Sequence, residues 1–141
     1  PMHSAFHSPL MEPTRDRALA DLGDLRVQTP DLSLVDGAGR VWRPWADPAA
    51  LLRYTLDDQV VQTFDLSQTL RTAMGDFAPD AVLLPGPGDS LGASVAQALI
   101  ACNWAGLRDR QDFLEAQEGS EPLILSMSRP EQRALCVTPS L

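Results

Sequence analysis

His3 and His7 are the two histidines of the chain, and each could act as a proton donor or acceptor at neutral pH. Imidazole titrates at about 6.5, so it can take a proton from an attacking group and return it to a leaving one. Ser90 offers the pattern of a nucleophile. It lies in Gly88-Asp89-Ser90-Leu91-Gly92, a G-x-S-x-G pattern between an expected strand and an expected helix. A serine of that kind needs a base that follows it in the chain, and both histidines precede it. The plainer role for Ser90 is to cap the helix starting near Leu91. Gly86, Gly88 and Gly92 also make a G-x-G-x-x-x-G run. No strand ending in an acid follows it, as a dinucleotide site requires. His3 and His7 are four residues apart and could share a helix face, but Pro9 and the lack of a third ligand argue against a metal. Cys102 and Cys136 form no C-x-x-C pair, which fits a reducing compartment.

The elements that must carry these residues follow from periodicity and turn signals. Ser8 as N-cap and Pro9 in the first turn predict a helix over Pro9–Leu22, ended by Gly23. Leu32, Leu34 and Val35, the turn Asp36-Gly37-Ala38-Gly39, and Val41-Trp42 predict two short strands around a glycine-rich turn. Asp47-Pro48 opens a helix through Leu51 and Leu52, and Asp58 to Gln62 reads as a loop or helix start. Phe64 to Met74 predicts an amphipathic helix with Leu66, Leu70 and Met74 on one face. The apolar run Ala81–Leu84 predicts a strand buried on both faces. An apolar helix over Leu91–Trp104 follows, with Val95, Ala98, Leu99 and Cys102 toward a core. Then come a polar helix over Asp109–Gln117, a short apolar run Leu123-Ile124-Leu125, and a loosely held tail from Arg129. Strand, loop and helix in that order predict an α/β protein.

The 141 residues suffice for a core that buries ~68% of the unfolded surface. A net charge of −8 repels phosphate backbones, which argues against nucleic acid as partner. It leaves room for a small acidic ligand at one local positive site. The longest apolar runs fall far short of the ~20 residues of a membrane span. No signal peptide precedes the first motif. The chain opens on Pro1, which suggests truncation or processing, with Met2 as an alternative start.

The neighbours of His7 carry a resemblance. Ser4-Ala5-Phe6-His7 and His7-Ser8-Pro9-Leu10-Met11 resemble the catalytic-histidine motif of the malonyl-CoA:acyl-carrier-protein transacylase family. Acyltransferase domains that select malonyl units carry His-Ala-Phe-His at these four positions, and here Ser4 stands in place of the first histidine. Two later segments agree in order. Leu56 to Thr63 resembles the stretch whose backbone carbonyl orients the catalytic histidine, the match falling on Val61 or, with a one-residue slip, on Gln62. The asparagine-proline and the tryptophan often found there are missing. Ala81–Leu84 followed by Gly86, Pro87, Gly88 and Leu91 resembles the family's late strand and active-site loop. The resemblance runs from Ser4 to about Leu99.

It implies the C-terminal portion of the acyltransferase α/β-hydrolase-like large subdomain, a mostly parallel sheet flanked by helices. The family's ferredoxin-like small subdomain, serine elbow and malonate-binding arginine lie upstream of the histidine and have no counterpart in this chain. Residues 1–100 would be the C-terminal half of the catalytic domain and 101–141 an extension. Arg15, Arg17 and Arg53 are read as surface charge. His7 would be general acid and base in moving a malonyl group from coenzyme A to the thiol of acyl carrier protein. Phe6 would line the acyl pocket, where rejecting one methyl is worth ~1–3 kcal/mol. The implied substrate is malonyl-CoA and the partner acyl carrier protein, with no bound cofactor, no metal and no membrane. The setting would be cytoplasmic fatty acid or polyketide biosynthesis, and the chain alone would be inactive. The alternatives are a non-catalytic acidic α/β interaction module and, behind it, a hydrolase using Ser90.

Overall fold

The computed structural model describes residues 5–88 and 90–137. The chain is mixed α/β and divides into two compact units, Pro1–Thr72 and Ala73–Leu141. Among the described residues, no helix is long and apolar enough to cross a membrane.

The first unit begins with a 3-10 turn, Pro9–Met11, followed by α1 (Glu12–Leu22). The single helix expected over Pro9–Leu22 is therefore two pieces. Pro13 explains the break: it has no N–H to donate and its ring would crowd the carbonyl of Pro9, so the α-helix starts afresh around it. The Ser8 hydroxyl is not a helix cap, because it donates to the Ala5 carbonyl at 2.6 Å instead. Strands β1 (Leu34–Val35) and β2 (Val41–Trp42) pair antiparallel, Leu34 with Trp42 and Val35 with Val41. Gly39 closes the turn at φ +78°, a conformation in which a side chain would be strained. Helix α2 (Pro48–Leu56) is capped by Asp47, whose carboxylate accepts the Ala49 N–H at 3.0 Å. A single turn, α3 (Asp58–Val61), follows. Helix α4 (Leu66–Phe77) buries Leu70, and Asp65 caps it through the Gln68 N–H at 2.9 Å. The boundary between the units falls within α4.

In the second unit β3 (Val82–Leu84) pairs parallel with β4 (Ile124–Ser126) in a sheet of two strands. The expectation of a strand buried on both faces is not met, since Leu83 is 50% exposed. Only β4 pairs with β3 among the described residues, so no strand lies along its other edge there. Helix α5 (Leu91–Ala101) supplies the core through Val95, Ala96, Ala98 and Leu99. It stops short of the expected Trp104 because Asn103 turns left-handed at φ +51°. Helix α6 (Arg110–Glu118) is capped by Asp109, which accepts from Gln111 and Asp112. Within the tail expected to be loose, Pro130–Val137 forms α7; residues 138–141 lie outside the described residues. Gln132 Oε1 of α7 accepts the Ser126 N–H at 2.8 Å and ties the helix to β4. On the same edge, Gln117 Nε2 donates to the Ile124 carbonyl at 2.6 Å and its Oε1 accepts the Ile124 N–H at 3.0 Å. Two glutamine side chains thus occupy the edge of β4 that faces away from β3.

Candidate functional site

His7 sits between two backbone carbonyls at the end of α3. Its own N–H donates to the Val60 carbonyl at 2.9 Å, and its ring Nδ1 lies 2.7 Å from the Gln59 carbonyl oxygen. These carbonyls are available because α3 is a single turn, and the last carbonyls of a helix have no partner within it. A carbonyl only accepts, so Nδ1 carries the proton, and in the neutral ring Nε2 presents its lone pair. The orienting carbonyl is therefore that of Gln59, not Val61 or Gln62. The segment Leu56–Thr63 is the expected one, and the residue differs by two or three positions because the turn of α3 points the earlier carbonyls at the ring.

The backbone of His7 is left-handed, φ +65°, which is uncommon for a residue with a side chain. The two carbonyl bonds hold it there. The Phe64 ring tilts against the imidazole at 5.5 Å between centroids, and Phe6 lies on it at 6.4 Å. Phe6 is 49% exposed, so it is not a core aromatic. A dimple of about 10 Å³, bordered by His7, Ala38, Tyr54, Gln59 and Phe64, opens beside the ring. That is room for about one water. Among the described residues nothing is hydrogen-bonded to Nε2.

Behind Phe64 lies a satisfied polar cluster. Gly37 lets the ring approach: a Cβ there would stand 2.5 to 3.0 Å from three Phe64 ring carbons. Tyr54 Oη accepts the Gly37 N–H at 2.9 Å. The Asp36 side chain, 2% exposed, accepts the backbone N–H of Ala38 and Arg40, the Arg40 guanidinium at 3.0 Å and the Trp42 indole N–H at 2.9 Å. The Arg40 guanidinium also stacks over Trp42 at 4.1 Å. Burial pushes the Asp36 carboxyl up. The bonds from Arg40, Trp42 and Ala38 outweigh burial and hold it below the usual carboxylate range. Burial likewise pushes the Tyr54 hydroxyl up. A cleft of about 160 Å³ runs along this cluster between Leu51 and Phe64.

The other candidates stand elsewhere. Gly86, Pro87 and Gly88 belong to the second unit, while His7 belongs to the first. Their loop contains a cis Gly86–Pro87 bond and left-handed glycines at 86 and 88, and Ser128 Oγ donates to the Gly88 carbonyl at 2.9 Å. Ser90 has an ordinary helical backbone, φ −60° and ψ −27°, without the strain of a nucleophile elbow. Nor does it cap α5. A cap needs an extended backbone to aim the hydroxyl at the helix N–H groups, and its side chain makes no such bond. Arg15 pairs with Asp16 at 2.8 Å and Asp57 at 3.7 Å, and Arg17 pairs with Asp21 at 3.4 Å. Arg53 is an exposed residue of α2, on the rim of a groove that does not include His7. His3, Ser4 and Asp89 lie outside the described residues.

Comparison of the chain with protein-family models, curated proteins and solved structures gives no match. Sequence reasoning missed Gln59 and Phe64 as partners of His7, and Asp36 as the centre of the cluster behind them. Gln59 acts through its backbone, which no side-chain pattern reveals. The Asp36-Gly37 pair and the nearby Trp42 and Tyr54 were visible, but only folding brings them together.

Proposed function

We propose that this chain carries the histidine half of an acyl-transfer centre that moves a malonyl group from malonyl-CoA to the thiol of acyl carrier protein. The observation that carries the reading is the 2.7 Å contact between His7 Nδ1 and the Gln59 carbonyl, which leaves Nε2 as the base. The serine nucleophile would come from residues outside these 141. His7 Nε2 takes the serine proton as the serine oxygen bonds to the thioester carbon, and gives it to the coenzyme A sulfur as the carbon–sulfur bond breaks. In the second half the carrier thiol gives its proton to Nε2 and bonds to the acyl carbon. The proton returns to the serine oxygen as the ester breaks. The half-exposed Phe6 beside the ring would face the acyl α-carbon and disfavour a methyl branch. On this reading the chain corresponds to the C-terminal portion of the acyltransferase large subdomain and works in cytoplasmic fatty acid or polyketide synthesis.

Three measurements test this. Ring nitrogen chemical shifts should show His7 protonated at Nδ1, and protonation at Nε2 in the neutral form would remove the base. In the protein made from the whole reading frame, His7→Ala should slow malonyl loading by at least about a hundredfold. Unchanged loading removes His7 from the mechanism. The 141 residues alone should transfer no malonyl group. Transfer that Ser90→Ala abolishes would restore the hydrolase-like reading of Ser90.

A further inference from the structure

A cleft of about 630 Å³ in the second unit lies along α5, α6, α7 and β4. Its space comes from the α5 wall, where Gly92, Ala93 and Ala96 carry at most one side-chain carbon. Its volume falls within the ~300–1,000 Å³ of small-molecule sites. Ile124 and Ser126, two apart and so on one face of β4, are both buried and both line it. The polar groups at this strand are unevenly used. Gln117 is engaged at both ends of its amide by Ile124. Gln132 is engaged at one end only: Oε1 accepts the Ser126 N–H at 2.8 Å, which fixes the other end as Nε2. Among the described residues Nε2 donates to nothing. It is also open to the surroundings, because no side-chain nitrogen or oxygen is both buried and without a partner. The Ser126 hydroxyl accepts the Ser128 N–H at 3.3 Å and keeps its own hydrogen to donate. Two unused donors thus belong to residues already joined by a hydrogen bond.

We propose that this cleft binds a neutral apolar molecule bearing a carbonyl group. The carbonyl oxygen accepts from Gln132 Nε2 and the Ser126 hydroxyl, and the hydrocarbon part lies along Ala93, Ala96 and Phe113. A carbonyl oxygen has two lone pairs and no hydrogen, so it matches two donors. A hydrocarbon of the same shape would strip water from both donors and return nothing, which disfavours it. The charged residues of the unit take no part in this recognition. The site is independent of His7 and stands or falls without it.

Proton–nitrogen NMR of the 141-residue chain titrated with 2-nonanone tests the assignment. Saturable binding is expected, and it should move the side-chain amide signal of Gln132. Gln132→Glu keeps the oxygen that accepts the Ser126 N–H and exchanges the free donor for a second acceptor. Affinity for 2-nonanone should then fall by roughly tenfold or more while the circular dichroism stays native. Ala93→Trp, at an exposed position of α5, should fill the cleft and abolish binding. Should either substitution disturb the fold, the Gln132 amide signal of the unaltered chain decides alone. Absence of saturable binding, a Gln132 amide signal that stays fixed on binding, or unchanged affinity in a natively folded Gln132→Glu or Ala93→Trp would each overturn the proposal.

Discussion

His7 is fixed by backbone oxygens from Gln59 and Val60 and by the face of Phe64, and the last of these depends on a glycine. Gly37 is not in a left-handed conformation. It is a glycine because Phe64 occupies the space a Cβ would need. Gly37→Ala should therefore push the ring off His7, cost about 1–3 kcal/mol as overpacking does, and shift the imidazole resonances. Urea denaturation and histidine NMR check both effects. On a Phe64→Ala background the same change should be close to neutral, and a full cost there would locate the strain elsewhere. At this scale the sequence was legible to the level of the segment, since Leu56–Thr63 does supply the carbonyl at His7 Nδ1. It was not legible at Gln59, because every residue offers the same carbonyl and only the length of α3 decides which one is left over.

Among the elements, the turn between β1 and β2 is held by side-chain bonds that converge on Asp36. Asp36 both nucleates that turn and holds Arg40 and Trp42, so its charge is built into the hairpin. Asp36→Asn keeps the shape but replaces one accepting oxygen by an amide donor facing other donors. A loss of about 1–3 kcal/mol is expected, read from thermal or urea unfolding. The carboxyl is held below its ordinary value. Its stabilisation is fully present above the unfolded value of about 3.9 and is lost as pH falls through the lower folded one. Asp36→Asn should flatten that acid limb. The hairpin and the starts of α2 and α6 were readable because Asp-Gly turns and aspartate caps are local signals. The break before α1 was written in Pro13 but masked by the stronger Ser8-Pro9 signal. The exposure of β3 could not be read, since an apolar run does not say how many strands will flank it.

For the whole molecule, all eleven cations are arginine and the net charge at neutral pH is −8. With an isoelectric point near 4.5, the chain should precipitate most readily around that pH while its circular dichroism stays native. Asp36 is still ionised there, so unfolding should begin only at lower pH. A pH series scored by turbidity and by circular dichroism separates the two events. Coincident transitions would mean that the acid limb is set by other carboxylates. The mixed α/β class was legible from the order of apolar runs. The division at Thr72 and Ala73 was not, because it falls inside an amphipathic helix whose pattern is continuous across it.

The glutamines along β4 have a consequence for the ageing of the protein. By occupying the N–H groups of Ile124 and Ser126 and the Ile124 carbonyl, Gln117 and Gln132 deny that strand to a neighbouring chain seeking to extend the sheet. Deamidation of Gln117 would exchange its donating nitrogen for an oxygen facing the Ile124 carbonyl. The clasp would open by repulsion. A slow, single-site chemical lesion would then turn a sealed strand into a seed for fibre growth.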